Sequence, residues 1–335
     1  MPRLTAVMLA WRDEPLLVEA VEAVLASRNL DVDVVLVDNG CTSDAVARLR
    51  GTAGVTVLEP GTNLGFAGGC NVGARAATGE YVGFINGDAV VEPDALARLV
   101  AATVDDVGLA TASVRLYDDP DTVNTVGNPV HFTGLSWAGG MGQPGSDYPA
   151  ARDVASASGA ATVARLDRFL ALDGFCEPMF AYCEDSDLSL RTWQRGWRVV
   201  YVPDAVVLHR YEFSRNPEKF YLLERNRLLM VLTVYGPLML LWTLPPLLAL
   251  ELAIFALALK DGWAGKKLRS WWWLLRHARL IVRRRREVRA ARVVPDRVLA
   301  RVLTGDLDPR VPGLQVPGPA RAISRGYWAV ARRLI

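Results

Sequence analysis

The chain has 335 residues, of which 51% are hydrophobic and 22% charged, and its formal net charge is +2 at pH 7. This composition excludes a chain that is disordered throughout, and the length suits one large domain with an appendage or two domains. The segment 260–292 holds twelve Lys or Arg against Asp261 and Glu287, a net of +10, which leaves −8 for the rest. A mildly acidic body with one basic segment indicates a local electrostatic contact, and no nucleic-acid partner is expected.

The four cysteines are Cys41, Cys70, Cys176 and Cys183, and none belongs to a C-x-x-C pair. No Cys/His ladder indicates zinc, and free thiols in a reducing compartment are the simplest interpretation. The N-terminus has no long apolar run before the polar stretch Trp11–Glu14, so no secretory signal is expected. The sequence therefore predicts chemistry on the cytoplasmic side.

Strand and helix patterns alternate through the first hundred residues. Buried strands are predicted over Leu4–Ala10, Val32–Val37, Val55–Leu58 and Tyr81–Ile85. Helices are predicted over Pro15–Ser27, Thr42–Arg50, Cys70–Thr78 and Pro93–Ala102, with a glycine-rich loop at Gly61–Gly69. This alternation predicts an α/β fold, a mostly parallel Rossmann-like sheet flanked by helices. Ligands of such sheets bind beyond the carboxyl ends of the strands.

The pattern is less regular in the next part of the chain. Tyr117–Arg152 is rich in Gly, Pro, Asp and Asn, which predicts an irregular region with at most a short hairpin over the site. Order is predicted again over Ala155–Ala171 and in a helix over Glu184–Arg195, which has acids first and Arg last. Two short strands follow, at Val199–Val202 and Ala205–Leu208.

The character of the sequence changes after about Phe213. Phe220–Leu259 is apolar and helical in pattern, Lys260–Arg292 is basic, and the remainder carries scattered Pro and Gly. We predict three parts: a first domain at residues 1–215, a helical hydrophobic and basic region at 216–292, and a loose tail at 293–335.

Polar residues end three of the predicted strands. Asp38 and Asn39 can bond a ribose or a base edge, although Asp-Asn-Gly is equally good turn chemistry. Asn86 and Asp88 offer oxygen ligands that suit Mg²⁺ or Mn²⁺ on a diphosphate, although such a sequence alone is more often a turn. His209 can complete a metal site from its own strand end, although a lone His is more often structural.

Two further motifs open helices. The glycines of Asn63–Gly69 allow an anion close to a helix N-terminus, but the stretch is not a G-x-G-x-x-G fingerprint and a tight turn explains it equally well. Glu184 and Asp185 begin the later helix, where acids commonly serve as caps. The functional interpretation makes one of these carboxylates a general base on an acceptor hydroxyl. No single motif decides between these interpretations.

In their order and spacing, the motifs together resemble glycosyltransferase family two, with the GT-A fold, and closely its rhamnosyltransferase-like branch. The resemblance covers roughly residues 1–215 and is carried by Val34–Asp44, Asn63–Asp94, Gly174–Phe180 and Tyr182–His209. It implies an inverting, metal-dependent transferase that moves a sugar from a nucleoside diphosphate to a hydroxyl group. dTDP-rhamnose is the donor that the branch resemblance favours.

The resemblance also implies roles for individual residues. Asp185 would be the catalytic base, and Asp88 and His209 would hold Mg²⁺ or Mn²⁺. The expected donor and nucleotide contacts are Asp38, Asn39, Asn63, Gly65, Asn86 and Asp88. Glu184 and Trp137 are expected on the acceptor side.

An apolar segment, Leu238–Leu259, is long enough to cross a bilayer. It contains Pro245, Pro246 and Glu251, which are awkward in a simple span, and a single crossing would place the basic cluster Lys266–Arg289 outside. A re-entrant hairpin or an interfacial helix on anionic lipid avoids this conflict, and the alternative is a buried core in a second soluble domain. We expect a protein at the cytoplasmic face of the membrane, with a lipid-linked or cell-envelope glycan as acceptor.

Three other functions stay open from the sequence. A polyprenyl-phosphate sugar synthase would differ only in its acceptor. A sugar nucleotidyltransferase would require a basic glycine-rich phosphate loop near the N-terminus, and residues 8–20 lack one. A catalytically inactive GT-A scaffold at the membrane would not require the residues at Asp88, Asp185 and His209.

Overall fold

The computed structural model describes residues 1–210, 216, 218–308 and 316–335. The chain divides into two compact units. The N-terminal unit comprises Met1–Asn128, Ala138–Thr192 and Trp197–Glu212, and the C-terminal unit comprises Pro129–Trp137, Trp193–Gly196 and Phe213–Ile335. The two units therefore interleave along the sequence. The predicted boundary at residue 215 lies outside the described residues.

The N-terminal unit is built on a single sheet. Its strands are β1 (Arg3–Arg12), β2 (Asp31–Cys41), β3 (Val55–Leu58), β4 (Tyr81–Ile85), β5 (Ala89–Val91), β6 (Val107–Leu116), β7 (Asp119–Thr125), β8 (Arg152–Asp153), β9 (Ala161–Arg165) and β10 (Arg198–His209). Its helices are α1 (Leu17–Leu25), α2 (Ala45–Leu49), α3 (Gly65–Ala76), α4 (Ala95–Ala102), α5 (Leu166–Ala171) and α6 (Glu184–Gln194), the last of which ends in the C-terminal unit.

The strand order is β3-β2-β1-β4-β9-β6-β10-β5, with β7 beside β6 and β8 beside β10. Strands β3, β2, β1 and β4 are parallel to one another, as the alternation of strands and helices predicts. Strand β9 runs antiparallel to both β4 and β6, which makes the sheet mixed. The predicted α/β fold is thus confirmed, and each antiparallel pair of strands includes at least one strand that follows the regular alternation.

The sheet and its helices bury the apolar runs of the sequence. Strand β1 is buried along Leu4–Met8 and pairs in parallel with β2, with Ala6 opposite Val34. A Cβ on Gly73 of α3 would lie 2.3 Å from Cγ1 of Val7, so only glycine allows this helix to approach the sheet so closely. Such close packing positions the start of α3 at the carboxyl edge of β1 and β2.

The structure corrects two predicted elements. The glycine-rich stretch Gly61–Gly69 was expected as a loop, but α3 already begins at Gly65, because its glycines serve helix packing as well as turn formation. The two short strands predicted around Pro203 are one strand, β10, whose register against β6 shifts between Val202 and Val206. That shift accommodates the proline, which has no N–H for the ladder.

The C-terminal unit is helical. Its helices are α7 (Lys219–Val234), α8 (Pro237–Lys260), α9 (Ala264–Arg276), α10 (Ala278–Ala291), α11 (Asp296–Val302) and α12 (Gly318–Leu334). The loose tail predicted at 293–335 is wrong for its described residues, since α11 and α12 lie there. Trp328 of α12 is buried and stacks on Phe132 with ring centroids 4.7 Å apart. This contact with a distant segment stabilises α12 and is invisible to local sequence patterns.

Candidate active site

Asp38 and Asn39 lie at the carboxyl end of β2. Oδ1 of Asp38 accepts hydrogen bonds from the backbone N–H groups of Gly40 and Cys41, at 3.1 and 2.9 Å. Asn39 is buried, and its amide donates to the Gly65 carbonyl and accepts from the Leu64 N–H, at 3.0 and 2.8 Å. Asn39 therefore fixes the start of α3 beside β2, whereas Asp38 remains partly exposed at the sheet edge.

The start of α3 is tightly constrained. Oδ1 of Asn63 accepts from the Gly65 N–H at 2.8 Å, and Gly65 has a φ of +71°. A Cβ at Gly65 would lie 2.3 Å from the carbonyl oxygen of Phe180, and that carbonyl accepts from the Ala67 N–H at 3.0 Å. Glycine is thus required at position 65 both by conformation and by space. These contacts join α3 to the segment that precedes α6.

Asn86, Asp88 and His209 come together where β4 and β10 end. Nε2 of His209 lies 3.1 Å from Oδ1 of Asp88 and 3.5 Å from Nδ2 of Asn86. On the other side of the ring, Nδ1 of His209 lies 3.0 Å from Oδ1 of Asn124 on β7. With the ring proton on Nδ1, Asn124 accepts it and the Nε2 lone pair is directed towards the carboxylate. A carboxylate and an imidazole lone pair at this spacing suit a shared cation.

Asp185 is the second residue of α6 and is partly exposed. Its Oδ2 accepts from the Gly159 N–H at 3.2 Å and lies 3.5 Å from Nδ2 of Asn128, and its Oδ1 accepts from the Ser186 N–H at 2.6 Å. The pKa of Asp185 is raised above its usual value because burial outweighs these hydrogen bonds to the charged form. A carboxylate of raised pKa that still reaches solvent is suited to accept a proton from a hydroxyl group.

The segment that leads into β9 also reaches the β4 end of the sheet. The Ala160 carbonyl accepts from the Asn86 N–H at 3.0 Å, while the neighbouring Gly159 N–H bonds Asp185. Residues 159 and 160 therefore connect Asn86 to Asp185. The same edge of the sheet thus carries the oxygen ligands and the carboxylate of raised pKa.

Glu184, the first residue of α6, is buried, and its Oε2 has no hydrogen-bond partner among the described residues. Burial and the adjacent Asp185 raise its pKa well above the usual value for Glu. Glu184 in turn adds to the effect of burial in raising the pKa of the buried thiol of Cys70 on α3. Glu184 thus points into the protein, and its predicted role on the acceptor side stays a prediction.

The segment before α6 is conformationally strained. Phe180, Tyr182 and Cys183 all have positive φ angles, of 66°, 70° and 66°. At Phe180 the angles of φ 66° and ψ −65°, with the Ala181 N–H bonded to the Met179 carbonyl at 2.8 Å, form the rare γ-turn. Strain of this kind persists where the surrounding contacts hold it and concentrates at functional sites. The sequence does not predict this feature, because none of the three residues is a turn-forming type.

Comparison with known proteins shows the family to which the chain belongs. The family described as glycosyltransferase like family 2 matches residues 2–229. The chain belongs to this glycosyltransferase family. The matched range includes Asp38, Asp88, Asp185 and His209, which the structure gathers along one edge of the sheet.

Curated relatives in the glycosyltransferase family match only locally. The succinoglycan biosynthesis protein ExoO of Rhizobium meliloti (strain 1021) is 32% identical over 102 residues, 30% of this chain and 29% of the relative. The N-acetylglucosaminyl-diphospho-decaprenol L-rhamnosyltransferase of Mycobacterium tuberculosis (strain ATCC 25618 / H37Rv) is 42% identical over 66 residues, 20% of this chain and 22% of the relative. The chain therefore spans less than a third of the length of these relatives.

Solved glycosyltransferase structures show the same fold. The mannosyltransferase PcManGT from Pyrobaculum calidifontis, in complex with GDP-Man and Mn²⁺, has a TM-score of 0.53 at 20% identity and covers 99% of this chain and 86% of its own. GalNAc-T7 with UDP, GalNAc and Mn²⁺ has a TM-score of 0.58 at 14% identity, over 70% of this chain and 48% of its own. These likenesses confirm the predicted GT-A fold.

Within this family framework, the structure places the predicted site residues in different ways. Asp88 and His209 contact each other, and Asn86 lies beside them. Asn39 and Asn63 bond the backbone at the start of α3. Trp137 is half-buried in the C-terminal unit, where its N–H bonds the Pro129 carbonyl at 3.4 Å. Its predicted place on the acceptor side stays a prediction.

Three residues that orient the predicted site residues are not predicted from the sequence. Asn124 bonds His209 from β7, and Asn128 and Gly159 bond Asp185. Asn124 and Asn128 lie in the region predicted to be irregular, where a single Asn carries no motif. Their role depends on the pairing of β7 with β6, which only the tertiary structure reveals.

Two side chains of the site are suited to bind a divalent cation. Within the described part of the chain, no group of three or more His, Cys, Asp or Glu side chains surrounds a common point. Asp88 and His209 supply two ligands, and Asn124 orients the imidazole from behind. Divalent cations in phosphate-binding sites commonly take one or two protein ligands and complete their coordination with phosphate oxygens and water. The residues present therefore fit a cation that is shared with a bound diphosphate.

Proposed function

We propose that the protein is an inverting glycosyltransferase that moves a sugar from a nucleoside diphosphate to a hydroxyl group of a lipid-linked or cell-envelope glycan. The observation that carries the proposal is the placement of Asp185 on the sheet edge that also bears Asp88 and His209, joined through residues 159 and 160. This arrangement separates a proton acceptor from a diphosphate-binding end, and a single displacement requires both.

The catalytic base in this proposal is Asp185. Its carboxylate takes the proton of the acceptor hydroxyl as that oxygen attacks C1 of the sugar. The bond from C1 to the diphosphate oxygen breaks at the same time, and the nucleoside diphosphate leaves with the electron pair. Attack from the face opposite the leaving group inverts the anomeric centre. The Gly159 N–H and Asn128 hold the carboxylate in position for this transfer.

The donor end is formed by the ends of β2 and β4 and by the start of α3. Asp38 offers its carboxylate to the ribose or base, while Asn39, Asn63 and Gly65 keep the start of α3 in place. Asp88 and His209 would hold Mg²⁺ or Mn²⁺. The cation, when bound, offsets the negative charge that develops on the leaving diphosphate. Two solved relatives of the same fold contain Mn²⁺ with UDP or GDP-Man, which supports a metal-dependent reaction.

The donor and acceptor are proposed from the local relatives. The Mycobacterium tuberculosis relative is named as an L-rhamnosyltransferase acting on a decaprenol-linked sugar, and ExoO is named for succinoglycan biosynthesis. We infer dTDP-rhamnose as donor and a polyprenyl-diphosphate glycan as acceptor. Such an acceptor is held in a membrane, so the protein works at its cytoplasmic face, in contact with anionic lipid. The acceptor-side roles of Glu184 and Trp137 stay predictions.

The test uses the full chain in mild detergent with a panel of nucleoside-diphosphate sugars, a lipid extract as acceptor, and Mn²⁺ or Mg²⁺. The wild type is compared with Asp185→Asn, Asp88→Ala and the control Asp167→Asn, an exposed acid on α5. We expect metal-dependent transfer of one sugar, with inverted anomeric configuration, that both site variants lose and the control keeps.

Other outcomes would contradict specific parts of the proposal. If both Asp185→Asn and Asp88→Ala still transferred the sugar, these residues would not form the active site. Transfer to polyprenyl phosphate itself would identify a polyprenyl-phosphate sugar synthase. A wild type that neither binds nor turns over any donor would identify an inactive scaffold.

A further inference from the structure

Four charged side chains are buried together in the C-terminal unit. Glu251, from the middle of α8, lies 2.7 Å from Nζ of Lys267 on α9 and also pairs with Arg227 of α7. Glu224 of α7 pairs with the same Lys267 and lies 2.7 Å from Arg227. Nε1 of Trp271 donates to Oε2 of Glu251 at 2.5 Å. The two carboxylates and two cations, which we name the charge cluster, therefore join α7, α8 and α9.

The charge cluster fixes which face of α8 points into the protein. The residues buried on this face are Met239, Thr243, Leu247, Glu251 and Ala258. Their spacing of four, four, four and seven follows one stripe of the helix. If α8 left its neighbours to cross a bilayer alone, Glu251 would enter hydrocarbon without Lys267 and Arg227. An unpaired charge in that environment costs several kcal/mol, so the charge cluster keeps α8 against α7 and α9.

The opposite face of α8 is covered by leucines and is exposed. Leu241, Leu248 and Leu252 are 64%, 62% and 69% exposed. Only 22% of the most apolar part of the helix is buried, although the helix is long enough to cross a membrane. A contiguous exposed apolar face of this kind marks a surface that binds a partner or a membrane.

The helices on either side of α8 carry apolar stripes as well. Phe255 of α8 packs on Trp271 of α9 with ring centroids 5.3 Å apart, and the hydroxyl of Tyr327 on α12 donates to the Trp242 carbonyl of α8 at 2.6 Å. Exposed apolar residues on these two neighbours are Leu268, Trp272 and Leu275 on α9, and Ile323, Val330 and Leu334 on α12. The apolar stripes thus lie on three adjoining helices.

The charges on α9 and α12 indicate what kind of surface this apolar face binds. Neither α9 nor α12 contains an Asp or a Glu. Exposed basic residues on the two helices are Arg269, Arg276, Arg325, Arg332 and Arg333. Arg269 pairs with Glu218, and Arg325 pairs with Asp306. Leucines and a tryptophan beside Arg276, Arg332 and Arg333 match the apolar interior and the anionic surface of a lipid bilayer, whereas a purely apolar protein surface offers these arginines no opposite charge.

We propose that α8 lies flat on an anionic bilayer surface and does not cross it, with Leu241, Leu248 and Leu252 in the acyl boundary and the charge cluster on the protein side. This inference deepens the membrane location stated under the proposed function and rests on it. It replaces a spanning or re-entrant segment by an interfacial face built from α8, α9 and α12.

The test is flotation of the full chain with vesicles of phosphatidylcholine, with or without phosphatidylglycerol. We expect binding to the anionic vesicles that weakens with added salt, because the arginine contacts are screened. The triple variant Leu241→Gln, Leu248→Gln, Leu252→Gln removes the central stripe. Each lost leucine lowers partitioning by about tenfold, so the triple variant should bind about a thousandfold more weakly.

The matched control is Leu170→Gln, which changes a leucine of similar exposure on α5 of the N-terminal unit and should bind vesicles like the wild type. Circular dichroism confirms that each variant is folded. Donor hydrolysis without an acceptor lipid should be unchanged in the triple variant. A loss of vesicle binding is therefore distinguishable from a failure of the proposed transferase activity.

Two results would overturn the proposal. Protein that stays in membranes after an alkaline carbonate wash, with no effect of the triple variant, would show that α8 crosses the bilayer. Protein that does not float but forms a dimer, which the triple variant breaks, would show that a second copy of the chain covers the leucines.

Discussion

Two buried glutamates, Glu184 in the N-terminal unit and Glu224 in the C-terminal unit, have pKa values shifted in opposite directions. Burial raises the pKa of Glu184 well above its usual value, and the neighbouring Asp185 adds to this effect. Burial acts in the same direction on Glu224, but Arg227 and Lys267 outweigh it and lower the pKa. The difference is that the charge cluster contains as many cations as carboxylates, whereas Glu184 and Asp185 lie side by side.

This comparison separates two uses of a buried acid. In the charge cluster the carboxylates stay ionised and bind helices together, so they act through the ion pairs. On α6 the carboxylates retain a raised affinity for protons, which is useful only where protons move. A third acid of α6, Asp187, follows the structural pattern, because Arg191 pairs with it at 2.7 Å and also donates to the Leu172 and Gly174 carbonyls.

The largest effect expected from this contrast is on activity. Asp185→Asn keeps the shape of the side chain but removes the proton acceptor, so we expect the transfer rate to fall by about 10²–10⁴-fold. The thermal unfolding midpoint should change little, since no ion pair is lost. Single-turnover rates with a saturating donor measure the effect. If Asp185→Asn had the wild-type transfer rate, the catalytic base would be another residue on this edge of the sheet.

The reverse pattern is expected in the charge cluster. Lys267→Met removes one cation and leaves Glu224 and Glu251 with Arg227 alone, so the free energy of unfolding should fall by about 3–5 kcal/mol. Denaturant unfolding in mild detergent measures it, with Lys260→Met, an exposed lysine at the end of α8, as control. The double variant Lys267→Met, Glu251→Met should recover part of the loss, because it removes charges of both signs. Equal stability of Lys267→Met and wild type would mean that the charge cluster does not hold the helices.

A buried histidine extends the comparison to acid pH. His131 of the C-terminal unit is held between Thr133 and Ser324, and burial lowers its pKa from 6.5 to about 4. The neutral form is therefore favoured in the folded state, so its contribution to stability is complete above pH 6.5 and is lost as the pH falls towards 4. The shift corresponds to about 3 kcal/mol. The free energy of unfolding should be measured for the wild type and for His131→Asn between pH 6.5 and pH 4. Only the wild type should lose the stability that neutral His131 contributes.

The order of strands and helices in the first part of the chain could be predicted from the sequence, and so could the site residues that follow the strands. Apolar runs that end in polar residues predict the parallel strands β1 to β4. They also predict that Asp38 and Asp88 lie on the same edge of the sheet, because parallel strands bring their carboxyl ends to one edge. His209 follows the same rule from β10, although that strand is parallel only to β6 among its neighbours.

The remaining features depend on contacts between distant parts of the chain. The charge cluster joins Glu224 to Lys267, and a local pattern shows Glu251 only as an awkward acid in an apolar helix. The structured end of the chain depends on Trp328 stacking on Phe132. Glycines predict turns from sequence, yet Gly73 is needed because α3 packs on Val7. In each case the role of the residue depends on a contact with a residue far away in the sequence. The local sequence pattern does not indicate which distant residue that is.

A smaller effect is expected at the cation end of the site. Asn124→Ala removes the acceptor that orients His209, so the concentration of Mn²⁺ that gives half-maximal activity should rise by about 10–100-fold. The rate at saturating Mn²⁺ should stay close to that of the wild type. Thr122→Ala, on the exposed part of the same strand, is the control. A lower rate that Mn²⁺ cannot restore would show that Asn124 does not act through the metal.

The smallest effect tests how finely the pKa of Asp185 is set. Asp185 must be ionised to accept a proton, so kcat/KM should fall as the pH drops through its pKa, which burial raises above the ordinary value of 3.8. Asn128 lies 3.5 Å from Oδ2 and favours the ionised form. Asn128→Ala should therefore move the acid limb to higher pH by no more than about one unit, while activity at alkaline pH is kept. If the acid limb moved to lower pH instead, Asn128 would favour the protonated carboxyl of Asp185.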